Sequence, residues 1–282
     1  MKTLSNIKKD LEFNIGLSAL IEVLKNISVS QFRALEKKVK SRENLLTAIN
    51  SFFEFLNTES VDHPFLNPRN KLQIVVAVTS DSGLLGGLNN EVVNTALIQL
   101  EEIPGKLVVI GERGKAYARE WVKSFVAFDS INEEQQYGQA KQLRDYLLNK
   151  FTEESMGYLK VVYPRPITFT VQRVETVSFL PFRPEAKEPQ GPPAYPGQVI
   201  FESLPKDIIG YLAYLWIEQK LLDIFVLSRL AEFAARFMHL EGCSQRLKEM
   251  DNKLRLQYFR VRHELIDRNM RELFSARLIY AR

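Results

Sequence analysis

The stretch Val78-Thr-Ser-Asp-Ser-Gly-Leu-Leu-Gly-Gly-Leu-Asn89 lies between a nearly all-apolar run, Leu72–Val78, and a helix-like run, Glu91–Gln99. A glycine-rich turn from strand into helix can bind a phosphate, because glycine lets the backbone approach closely and a helix N-terminus attracts anions. The spacing argues against that chemistry. The dinucleotide fingerprint needs G-x-G-x-x-G, whereas these glycines fall at Gly83, Gly86 and Gly87. A P-loop needs Lys then Ser or Thr after its last glycine, and Leu88 and Asn89 stand there instead. Asp81 adds a negative charge beside any phosphate. A second segment, Gly111-Glu-Arg-Gly-Lys115, is too short for a P-loop. Both read as tight backbone turns, with Asp81, Asn89 and Asn90 expected to tie down the first and cap the helix after it.

Little else in the chain points to catalysis. Cys243 is the only cysteine, which excludes a disulfide framework and a cysteine zinc site. His63, His239 and His263 are far apart, so no metal and no cofactor is expected. The formal charge of +4 permits an acidic partner without demanding nucleic acid. Towards the C-terminus the acids Glu249, Asp251, Glu264, Asp267 and Glu272 alternate with bases, as on a solvated helix. The N-terminus, Met1–Asp10, is charged and lacks an apolar h-region. The run Tyr211–Leu227 is interrupted by Glu218, Lys220 and Asp223, which argues against a membrane span. A soluble intracellular protein is expected.

The elements that must position the turn follow from proline placement. All 12 prolines lie between Pro64 and Pro205. An interior proline costs a helix about 3 kcal/mol, so the proline-free ends read as long helices. The first runs from about Thr3 to Leu56, with apolar residues at Leu17, Leu20, Leu24 and Ile27, then Phe32, Leu35 and Val39, then Leu46, Ile49, Phe53 and Leu56, mostly in steps of three and four with one slip between Ile27 and Phe32. The last runs from Lys206 to Ala281, with a stripe at Leu247, Met250, Leu254, Tyr258, Val261 and Leu265. Some 70 helical residues span about 105 Å, so such a helix needs a partner along its length. The other terminal helix is the obvious one, and the two are expected to pair as a coiled coil.

The middle reads as α/β. Leu72–Val78, Lys106–Ile110 and Tyr158–Tyr163 resemble buried parallel strands, and Ile167–Phe179 is a further strand. Helices are expected at Glu91–Gln99, Lys115–Val122 and Glu133–Phe151. The last has Asn132 and Gln135 in capping-box spacing and Tyr137, Ala140, Leu143, Leu147 and Phe151 on one face. Trp121 and Trp216 are expected in the core, and Pro181–Pro196 is a loop. The fold class is α/β. A Rossmann-like doubly wound domain (70–200) is inserted between an N-terminal helix (1–60) and a C-terminal helix (203–282) that pair as an antiparallel coiled coil.

This architecture, together with Val78–Asn89, resembles the gamma subunit of F-type ATP synthases. That family carries V-T-S-D-x-G-L-x-G-G-L-N after its first strand, and every specified residue stands here, Ser80, Asp81, Gly83, Gly86, Gly87 and Asn89 among them. Phe201-Glu-Ser-Leu-Pro-Lys206 resembles its Tyr-Glu-x-x-Pro-Lys, and Ala231-Glu-Phe-Ala-Ala-Arg236 its Ser-Glu-x-Ala-Ala-Arg. Tyr258–Ile266 resembles its Tyr-Asn-x-x-Arg-Gln-x-x-Ile. Departures occur as well. Ile21, Glu22, Val23 and Leu24 stand where the family has Thr-Lys-Ala-Met, and Arg262-His263 and Ile266-Asp267 replace its Arg-Gln and Ile-Thr.

The resemblance implies a non-catalytic central rotary shaft. It would transmit torque between a membrane rotor ring of c subunits and a catalytic ring of alpha and beta subunits, with an epsilon-like subunit as a further partner. It implies catalytic-ring contacts at Arg262, His263, Ile266, Asp267, Glu22 and Leu24. Rotor-ring contacts fall at Phe201 and Glu202, and a seated tip at Leu278, Ile279 and Tyr280. The implied location is peripheral, at the cytoplasmic face of a bacterial plasma membrane. Two alternatives stay open: a divergent paralogue serving a different ring, and a coiled-coil scaffold.

Overall fold

The computed structural model describes residues 3–39, 46, 49, 63–68, 70–182 and 202–280. Its elements are α1 (Leu4–Val39), β1 (Gln73–Val78), α2 (Leu88–Glu102), β2 (Gly105–Ile110), α3 (Glu112–Trp121), β3 (Val126–Phe128), α4 (Gln136–Glu153), β4 (Tyr158–Pro166), β5 (Gln172–Leu180) and α5 (Pro205–Tyr280). Contacts divide the chain into two compact units, Gln31–Arg236 and the pair Met1–Ser30 with Phe237–Arg282.

The unit Gln31–Arg236 is built on a sheet of order β3-β2-β1-β4-β5. The first four strands are parallel, and β5 runs antiparallel to β4. All six residues of β1 are buried, as a central parallel strand requires. Successive strand side chains point to opposite faces, so β1 serves two cores. Ile74, Val76 and Val78 join Leu143, Leu147 and Phe151 of α4 and Ile209, Ala213, Ile217 and Leu221 of α5. Val75 and Ala77 join Val92, Val93 and Ala96 of α2 and Ala118 of α3. Helices thus cover both faces, and the doubly wound expectation holds. The end of α1 is fixed here too, with Phe32 and Leu35 packed against Val226, Leu230 and Phe233 of α5. Phe169, in the β4–β5 connection, meets Phe32 edge-on at 4.9 Å.

In the other unit the two terminal helices pair directly. Leu17, Ile21 and Leu24 of α1 pack with Leu240, Cys243 and Leu247 of α5. Lys25 Nζ lies 2.6 Å from Glu241, whereas Asn14 shares a cavity with Asp251 and Arg255. Numbers fall on α1 as they rise on α5, so the pairing is antiparallel, as expected.

Several local expectations fail, each for a physical reason. The stripe through Leu20 and Ile27 is wrong: these are 54% and 47% exposed, and the buried positions are Ile7, Asn14, Ile21 and Ser28. On α5, Met250 and Leu265 are likewise exposed. Counting apolar residues misplaces a seam that contains polar ones. Trp121 is 70% exposed because α3 ends on it, beyond the last turn that packs on the sheet. Tyr137 is also exposed, one position off the buried face that begins at Ala140. The capping box does not form: α4 starts at Gln136, and Asn132 Oδ1 instead accepts from Glu134 N–H at 3.0 Å, closing a turn ahead of the helix. Residues 167–171 form the hairpin connection, and β5 starts only at Gln172. The short edge strand β3 was not anticipated. The first helix, expected to reach Leu56, is described as α1 only to Val39, and most positions after it lie outside the described residues.

Candidate functional site

The turn after β1 is held by hydrogen bonds to its own protein. Ser80 N–H donates to Asn89 Oδ1 at 3.2 Å, and Asn89 Nδ2 donates to Ser80 Oγ at 3.3 Å. Asn89 therefore ties down the turn, as expected. It does not cap α2, whose N-cap is Gly87, without a side-chain cap. Asp81 does cap a helix, but a different one. Its Oδ1 accepts Glu112 N–H at 2.6 Å, and Ser80 O accepts Arg113 N–H at 3.2 Å, both at the start of α3. The α3 N-terminus, which the second glycine segment would offer to a phosphate, is filled by this carboxylate.

The second glycine segment follows from the same packing. A Cβ on Gly114 would stand 2.1 Å from Thr79 Oγ1, and one on Gly111, at φ +95°, would meet Thr79 O at 2.7 Å. These glycines let α3 approach the first turn.

The outer part of the turn grips the C-terminal helix. Leu84 and Gly86 take φ of 63° and 62°, which swings Leu85 and Leu88 onto Ala235 of α5. A left-handed leucine costs roughly 1–2 kcal/mol and persists only where packing enforces it. Beside Ala235 sits Glu232, which is 2% exposed and accepts from Arg229 Nη1 at 2.8 Å. Burial pushes its carboxyl above the usual range; Arg229 and Arg236 oppose this, and Asp81 adds to it. Burial in turn lowers Arg236. The small Ala231, Ala234 and Ala235, all buried, leave room for this approach. The two glycine- and alanine-containing motifs of the sequence are thus two halves of one contact.

A second lock lies between α4 and α5. Arg144 is 1% exposed, ion-paired with Asp145 at 2.7 Å and with Glu218, and its guanidinium stacks 3.4 Å from the Tyr214 ring centroid while bonding that hydroxyl. A fully paired buried guanidinium fixes one arrangement, since removing any partner leaves a charge in a low-dielectric site.

The remaining expected contact residues lie apart from this grip. Arg262, His263, Ile266 and Asp267 are all exposed on α5, and the i,i+4 spacing puts Arg262 over Ile266 and His263 over Asp267. Next to them Leu265, Met270, Leu273 and Phe274 leave an apolar surface uncovered among the described residues. Glu22 is exposed and paired with Lys25 at 3.1 Å. Leu24 is half-buried in the seam with Leu240, so Glu22 and Leu24 do not share a face. Glu202 is exposed just ahead of α5, while Phe201 and the side chains of Leu278, Ile279 and Tyr280 lie outside the described residues. Among the described residues, no group of three or more His, Cys, Asp or Glu is arranged to hold a metal ion, and no helix is long and apolar enough to cross a membrane.

A family model described as ATP synthase matches residues 3–277. The chain belongs to that family. A curated relative from Pelotomaculum thermopropionicum, named ATP synthase gamma chain, is 22% identical over 279 residues, covering 97% of each chain. Another of that name, from Desulforudis audaxviator, is 26% identical over 228 residues and 76% of each chain. Among solved structures, the rotor of the Euglena gracilis mitochondrial ATP synthase has a chain with TM-score 0.66 at 18% identity, covering 93% of this chain and 98% of that one. That likeness establishes the fold.

Sequence reasoning found the turn and the Ala231–Arg236 motif but not that they meet. It missed Arg144 altogether. The available signal was a charge inside the apolar face Ala140–Leu147, matched by Glu218 inside the apolar run of α5.

Proposed function

We propose that this chain is the central shaft of a rotary ATP synthase, a non-catalytic subunit that carries torque between a membrane rotor ring and a catalytic ring of alpha and beta subunits. The observation that carries this is the double lock, the turn on Ala235 and Arg144 on Glu218, by which the α/β domain grips the helix α5. A domain turned from outside passes its rotation to the helix only if it cannot slip on it. The helix pair performs no chemistry. It biases its partners by presenting different contacts to different conformations.

Family membership and the gamma-chain names of the relatives support this role. The segments 1–60, 70–200 and 203–282 then serve as first helix, foot and second helix. The exposed Arg262, His263, Ile266 and Asp267, with the apolar surface beside them, are the contacts to the catalytic ring, and Glu22 adds to them from α1. Phe201 and Glu202 face the rotor ring, and an epsilon-like subunit binds the foot. The bacterial source of the relatives supports a peripheral place at the cytoplasmic face of the plasma membrane.

The test is Arg262→Glu in the assembled complex. A charge reversal at an exposed contact is expected to lower coupled ATP hydrolysis roughly 5- to 10-fold. Turnover equal to the unmodified complex removes Arg262 from the ring contact.

A further inference from the structure

The buried positions of α1 recur every seventh residue: Ile7, Asn14, Ile21, Ser28 and Leu35. That is the heptad of a coiled-coil seam, with two polar members. Ser28 satisfies itself by donating to Leu24 O at 2.9 Å. Asn14 does not: it is 7% exposed, and its Nδ2 has no hydrogen-bond partner among the described residues. On α5, Leu240, Ser244 and Leu247 are buried in steps of four and three, and Asp251 follows as the next seam position. Asp251 Oδ2 accepts from Arg255 Nε at 2.7 Å, whereas Oδ1 is buried without a partner among the described residues. Asn14 and Asp251 line one cavity of about 650 Å³, with Ser18, Ser244, Leu247 and Lys248 around it.

We infer that Asn14 and Asp251 form the register pin of the helix pair: a carboxamide donor and a carboxylate acceptor that answer each other across the seam through one water. The chemistry is complementary, and both residues line one cavity. Beside the serines Ser28 and Ser244 and the Lys25–Glu241 pair, the seam is held by apolar contacts of Leu17, Ile21 and Leu24 with Leu240 and Leu247, which repeat by heptad and by themselves tolerate a slip. A slip of seven residues moves the helices by about 10 Å and sets Ile7 or Ile21 opposite Asp251. It then strands a carboxylate against a hydrocarbon side chain, which a polar seam position uses to reject wrong pairings. A shaft that transmits rotation needs one register, but the inference requires only the helix pair.

Two measurements on the full chain test it. In a Cys243→Ser background, spin labels at Asn26→Cys and Arg246→Cys report the offset between the helices by electron–electron double resonance. One distance is expected for the native pair, and a second, displaced by up to about 10 Å, when Asn14→Leu and Asp251→Leu are combined. Independently, Asn14→Asp sets two carboxylates together and is expected to lower Tm by about 3–6 °C. Adding Asp251→Asn restores the amide–carboxylate pair and the Tm; if Asn14→Asp does not fold, recovery of folding in the double variant is the same result. A single native distance in the Leu–Leu variant overturns the inference. So does an unchanged Tm in Asn14→Asp, or a double exchange that melts no higher than Asn14→Asp alone.

Discussion

The grip on α5 in Gln31–Arg236 and the helix pair of the other unit use buried polar groups in opposite ways. In the grip the buried charges Arg144 and Glu232 are answered, as is Asp81. Arg144 has Asp145, Glu218 and Tyr214, Glu232 has Arg229, and Asp81 has the α3 N-terminus. In the helix pair, Asn14 and Asp251 each keep a buried atom with no direct partner among the described residues. The first arrangement fixes a single rigid contact, whose loss is costly. The second gives up some stability and specifies alignment. One chain thus separates holding a helix from aligning one.

The comparison breaks most visibly at Arg144. Arg144→Ala removes the buried guanidinium and leaves the half-buried Glu218 without its partner, and is expected to destabilise by about 2–3 kcal/mol in denaturant unfolding. A loss under about 1 kcal/mol would mean the pair is solvated and the grip rests on apolar packing alone. A smaller effect is expected at Asp81→Ala, which removes the cap of α3 and should cost about 0.5–2 kcal/mol. Because Leu85 and Leu88 keep their contact with Ala235, the assembled complex should retain coupled hydrolysis; uncoupling would show that the carboxylate does more than cap.

The smallest effect is a slope. Glu232 has its folded-state pKa raised above its ordinary 4.5, chiefly by burial. Between those two values the folded state binds more protons than the unfolded one, so this group's contribution is present at and below about pH 4.5 and is lost as pH rises through the folded value. Glu232→Gln removes that titration. The Tm difference between wild type and variant should therefore shift in favour of Gln as pH rises above 4.5, and a constant difference would contradict the burial of this carboxylate.

The sequence made legible what depends on backbone chemistry and long periodicity. The glycine-rich turn, the two terminal helices and the alternating middle follow from proline placement, Val and Ile runs and steps of three and four. What it hid depends on which neighbour a polar group finds. Leu20 and Met250 read as seam residues because they are apolar, and the true occupants, Ile21 and Asp251, lie one position away. Asp81 was expected to cap the helix that follows it, and caps one reached through the sheet. Trp121 reads as a core residue because it lies within an apolar helical pattern, although α3 ends there. Of the contact residues carried by the resemblance, Arg262, His263, Ile266 and Asp267 share an exposed stretch of α5, but Leu24 turns into the seam.

On the proposed function, the domain and its helix turn together inside a catalytic ring. The direct measurement is single-molecule rotation. The catalytic ring is fixed to a surface, and a bead is attached at Trp121→Cys, an exposed site on α3, in a Cys243→Ser background. With ATP, sustained, unidirectional rotation of the bead is expected, abolished when hydrolysis is blocked. A bead that stays still while the same complex hydrolyses ATP would contradict it.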